Sequence, residues 1–135
     1  MAHRELGERP LEVDGEWTLP IGDGTITQIL VDHAFGLVVD SDTAIRFETP
    51  FTWFDGTTER TIDPSVAESL GALVRLVRQE VTDVTVTEPG SHLAVVLQDG
   101  QWLKSSAHDQ YEAWTATATW GVPAQRSYFV ATPGG

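Results

Sequence analysis

With 135 residues, 41% of them apolar, the chain is long enough for one domain with a real core and too apolar to be an acidic disordered tail. Its 20 acidic and 8 basic side chains leave a formal charge of −12, a field that repels nucleic-acid phosphates and anionic lipid and steers basic proteins inward. The lack of cysteine excludes disulfides, a thiolate–zinc site and a cysteine nucleophile, and suits a reducing cytoplasm.

Residues 1–15 lack periodicity and are predicted to be a flexible lead-in to a single domain over residues 16–135. The polar start has no apolar segment of the secretory type, and no run approaches the ~20 apolar residues of a membrane span. Trp17 and Leu19 alternate before Pro20 and suggest a short edge strand. Gly22-Asp23-Gly24 reads as a turn. Thr25 to Asp32 follows, rich in β-branched residues, and Phe35 to Val39 is apolar on both parities, as a central strand covered on both sides would be.

Asp40-Ser41-Asp42 reads as a tight turn. From Thr43 to Thr49 the pattern alternates, with Ile45 and Phe47 on one face and Ala44, Arg46 and Glu48 on the other. Pro50 interrupts the ladder, Phe51 to Phe54 resumes it, and Asp55-Gly56 signals a hairpin into Glu59 to Ile62. Asp63 then stands as N-cap, Pro64 at the first helical position, and Val66, Leu70, Leu73, Val74 and Val77 form one apolar stripe. This predicts the main α-helix, over about 64–80.

Strand patterns return at Val81 to Thr87, after which Glu88-Pro89-Gly90-Ser91 is a turn. Leu93, Val95 and Leu97 alternate toward a core, and Asp99-Gly100 leads into Gln101 to Lys104. Loops at Ser105–Gln110 and Gly121–Arg126 flank Tyr111 to Trp120, which sets Trp114, Ala116, Ala118 and Trp120 on one face and threonines on the other. Ser127 to Ala131 is a last strand. The sum is an α+β fold: a single curved, mainly antiparallel sheet of about seven to nine strands with one helix packed on a face.

The segment Val31-Asp32-His33-Ala34-Phe35-Gly36-Leu37, followed by Ile45-Arg46-Phe47-Glu48-Thr49-Pro50-Phe51, carries a resemblance. It resembles an uncharacterised family of small bacterial proteins in which a V-D-x-A-F-x-L strand leads through a turn to I-R-I-E-x-P-F. Tyr111-Glu112-Ala113-Trp114 and Pro133-Gly134-Gly135 look like later landmarks of that family, so the likeness spans most of residues 17–135. It implies a shape and brings no activity. Small acidic β-rich immunity proteins are similar in type.

Chemistry-bearing constellations are sparse. Asp32 and His33 are adjacent, with His92, His108 and Asp109 elsewhere, but neighbours on a strand face opposite ways and no H-x-x-x-H spacing occurs, so no metal and no cofactor is expected. There is no G-x-S-x-G and no glycine-rich phosphate loop, which leans against an enzyme and leaves no catalytic residue to name. His33, Arg46, Glu48 and Trp114 are the candidate binding residues: a polar pair on one sheet face, a histidine at a strand end, and an indole for a core or an interface.

The charge is concentrated in residues 1–63, which hold 13 acidic and 4 basic side chains, a net of −9. The leading expectation is a non-enzymatic acidic protein-binding module, with an immunity-type inhibitor of a basic partner as its concrete form. A structural homodimer, and a small-molecule binder or unrecognised enzyme with its site inside the curved sheet, stay open beside it. Nucleic acid and membranes are excluded as partners on charge and hydropathy.

Overall fold

A computed structural model describes residues 11–13, 15–18, 24–40, 43–87, 92–105, 113–120 and 125–130, with the backbone alone for 11–13, 117–120 and 125–130. Twelve strands and one helix follow in chain order: β1 (Leu11–Val13), β2 (Glu16–Thr18), β3 (Gly24–Val31), β4 (Phe35–Val39), β5 (Thr43–Phe47), β6 (Phe51–Phe54), β7 (Glu59–Ile62), a 3-10 helix (Ala67–Leu76), β8 (Glu80–Thr87), β9 (His92–Leu97), β10 (Trp102–Ser105), β11 (Trp114–Trp120) and β12 (Gln125–Val130). The sheet is therefore larger than the seven to nine strands expected. Every strand pair is antiparallel. β1 falls in the stretch read as lead-in. Residues 1–10, the turns read at Gly22-Asp23 and Glu88–Ser91, and the loop residues 106–110 and 121–124 lie outside the described part.

The strands run β12-β11-β5-β4-β3-β8-β9-β10-β6-β7, with β2 joined to β8 and β1 to β2. β5 and β6 are six steps apart in this order, roughly 29 Å in a flat sheet at about 4.8 Å per strand. Yet the Phe47 ring on β5 stacks on the Phe51 ring on β6 with centroids 4.4 Å apart, and Phe35 on β4 lies 5.7 Å from Phe51. The sheet has to curl back on itself to allow this. It does not close, because β5 and β6 do not pair, and β7 and β12 end the order. Only three residues, Glu48-Thr49-Pro50, separate β5 from β6, and Pro50 has no N–H to continue a ladder.

The bend is made at β3. Gly24 and Thr25 pair with Val81 and Glu80 of β8, whereas Ile26 and Gln28 to Val31 pair with β4 on either side of a bulge at Thr27. Asp40 fixes the change of direction. It adopts φ +52°, its carboxylate accepts the Thr25 N–H at 3.0 Å, and its own N–H donates to the Thr25 carbonyl at 3.0 Å. Aspartate tolerates this left-handed backbone better than most residues.

Curling gives one core. Phe35, Leu37, Val39, Ile45, Phe47 and Trp114 from one half meet Phe51, Trp53, Val84, Val95, Leu97 and Leu103 from the other. The expected parity of β5 holds: Ile45 and Phe47 are buried, Ala44 exposed and Arg46 half-buried.

The helix differs from expectation in type and length. It is a 3-10 helix of ten residues, not an α-helix over about 64–80. Its buried residues are Leu70, Leu73 and Leu76, at intervals of three, the period at which 3-10 side chains eclipse. Leu76, absent from the predicted stripe, takes the place given to Val74, which is 60% exposed. Two local features weaken the wider α-helical spiral. Gly71 sits mid-helix, and the Ser69 hydroxyl bonds back to the Val66 carbonyl at 2.8 Å. Asp63 accepts bonds from the Ser65 N–H and hydroxyl at 2.9 and 2.7 Å, closing a turn before the helix rather than capping it. No described helix is long and apolar enough to cross a membrane.

Candidate functional site

The outer face of β3, β4 and β5 holds three of the four candidate binding residues, joined by one that was not singled out for binding. Register places Leu30, Gly36 and Arg46 side by side across the three strands. Arg46 has Nη2 3.3 Å from Asp32 Oδ1 and Nε 3.3 Å from Glu48 Oε2, so one guanidinium is shared by two carboxylates. The Arg46–Glu48 pair follows from spacing two on a strand. Asp32 comes from the β3–β4 turn, whose geometry it sets by accepting the Ala34 N–H at 2.7 Å. His33 is exposed beside it. In sequence, Asp32 and Arg46 are fourteen positions apart, so only knowledge of the β3-β4-β5 order would have joined them.

Trp114 is elsewhere. It is 1% exposed and packs inward, opposite Phe47, on the face of β5 away from Arg46. Trp120, expected on the same face, has no described side chain. His108 and Asp109 also lie outside the described residues, and among those described no three His, Asp or Glu gather as metal ligands would.

The Ala34 N–H and, less strongly, the Arg46 charge hold Asp32 below the usual aspartate value of 3.8. It is thus a carboxylate and a pure acceptor near neutral pH. The folded value lies below the unfolded one, so this interaction stabilises above the unfolded value and is lost as pH falls through the folded one. Asp32→Asn is expected to melt below wild type at pH 7, with the gap closing as pH drops beneath 3.8. Thermal melts at pH 7 and in acid check this; a gap that stays constant into acid contradicts it.

A second surface lies on the outer side of the other half. A groove of about 480 Å³ is lined by Thr52, Thr85, Ala94, Val96 and Lys104, together with Glu16 and His92. Sequence reading missed it. The signal was the alternation of Trp102 and Lys104 opposite Thr52 and Phe54, which depends on β10 pairing with β6.

The described cations are mostly engaged within the fold. Arg46 is shared by Asp32 and Glu48. Arg60 Nε lies 2.8 Å from Asp55. The Arg60 and Arg75 guanidinium carbons lie 5.5 and 5.8 Å from the centre of the Trp53 ring. Lys104 Nζ sits 4.3 Å from the centre of Trp102.

The described residues thus form an open antiparallel sheet curled around a filled core, with one short helix and polar clusters on its outer faces. The chain belongs to a family of unknown function, DUF6188, whose model matches residues 17–135. No curated protein and no solved structure matches it.

Proposed function

We propose that the protein is a non-enzymatic acidic binding module that acts on a basic protein partner in the bacterial cytoplasm, an immunity-type inhibitor being its most concrete form. One observation carries this reading: of the five described cations, Arg46, Arg60, Arg75 and Lys104 are held against carboxylates or indole rings of the same chain, leaving Arg78. Exposed Glu59, Glu68, Glu80 and Asp83 form none of the ion pairs found among the described residues. The outward field is therefore negative in effect as well as in count. Such a field speeds encounter with a basic partner and makes it sensitive to salt.

The test is capture on the immobilised chain from lysate at low ionic strength, with salt elution and mass identification. A discrete protein of high isoelectric point, released by salt, is expected. Recovery of the chain itself points to a homodimer instead, and salt-resistant or absent capture contradicts the proposal.

A further inference from the structure

Register fixes one transverse row on the outer face of β8, β9, β10, β6 and β7. Asp83 lies beside Val96, Val96 beside Trp102, Trp102 beside Phe54, and Phe54 beside Glu59. The Trp102 and Phe54 rings stack with centroids 5.6 Å apart. Both are half-buried, and Asp83 and Glu59 at the two ends are exposed. The groove adjoins this row and shares Val96 with it. A half-buried aromatic centre with a charged rim is the usual anatomy of a protein-docking surface, and large aromatics supply most of the binding energy at such centres.

We infer that this face docks an extended segment of a basic protein. The inference rests on the reading of the chain as an acidic binding module and adds its location. Asp83 and Glu59 are four strand steps apart, about 19 Å at ~4.8 Å per step. An extended chain covers that span in about six residues. Two basic side chains six positions apart can therefore reach the two carboxylates, while apolar side chains between them, pointing the same way, lie on Val96, Trp102 and Phe54. The single cation described on the face, Lys104, is held on the Trp102 ring.

The test is a titration of the full chain, followed by amide and indole NMR, with the heptapeptide Arg-Ser-Leu-Ser-Leu-Ser-Arg and with its counterpart carrying Glu at both ends. The Trp102 indole N–H and the Val96 and Lys104 amides are expected to shift with the basic peptide, and the Trp53 and Trp114 indoles to stay. The Asp83→Lys, Glu59→Lys double variant, altered at two exposed positions, is expected to bind at least about tenfold more weakly. Shifts centred on Asp32, His33 and Glu48 would overturn this face and leave the acidic-module reading standing. No shift at Trp102 at millimolar peptide would also overturn it, and the capture experiment then judges the broader reading separately. Equal binding of the acidic peptide would overturn the role of the two carboxylates.

Discussion

Phe47→Ala is expected to lower the free energy of unfolding by about 3–5 kcal/mol, the range for an aromatic removed from a packed core. Phe47 is completely buried and stacks on Phe51 at 4.4 Å and on Phe35 at 6.4 Å. It therefore joins strands that are far apart in the sheet order, and removing it leaves a void where the two halves meet. Nothing else close by can refill that space cheaply, because Phe35 and Phe51 are held on their own strands by the β4–β5 and β6–β7 ladders. Urea unfolding of wild type and variant measures the loss. A cost under about 1 kcal/mol would place Phe47 outside a close-packed core and remove the main support for the curl.

Leu73→Ala is expected to cost about 2–5 kcal/mol, and Val74→Ala no more than about 0.5 kcal/mol. Both neighbours are aliphatic, and the main difference between them is which side of the helix they occupy. Leu73 is fully buried between Leu70 and Leu76, and Val74 faces solvent. An α-helix with the stripe Val66, Leu70, Leu73, Val74 and Val77 would bury both and make both substitutions costly. Equal losses in the same unfolding experiment would therefore indicate the α-helical face and contradict the 3-10 geometry.

Much of the sheet was legible because strand parity is a strong signal. Ile45 and Phe47 against Ala44 and Arg46 reads directly as one buried and one outward face. The Asp55-Gly56 and Asp99-Gly100 pairs mark two hairpins, and Gly56 and Gly100 do adopt positive φ, +101° and +94°. Of the twelve strands, only Leu11–Val13 has no counterpart among the segments read from the sequence; the total of seven to nine falls short because segment patterns do not show how many of the strands join one sheet. The helix type is hard to read for a different reason. Intervals of three and of three and a half share Leu70 and Leu73, and only the burial of Leu76 separates them.

The polar clusters were legible within one strand and illegible across strands. Arg46 and Glu48 were found by their spacing. In sequence Asp32 stands out only as a metal neighbour of His33, since its link to Arg46 arises from the register of β3, β4 and β5. The row from Asp83 to Glu59 needs five strands placed in order, and β6 and β7 precede β8 to β10 in the chain while following them in the sheet. Long-range order of this kind leaves no trace in local periodicity.

The most direct test of an outward negative field is the association rate between the chain and its captured partner, followed by stopped flow across a range of ionic strength. The account predicts a rate that falls steeply as salt rises, with dissociation changing little, because screening removes long-range steering first. An association rate indifferent to salt would contradict it.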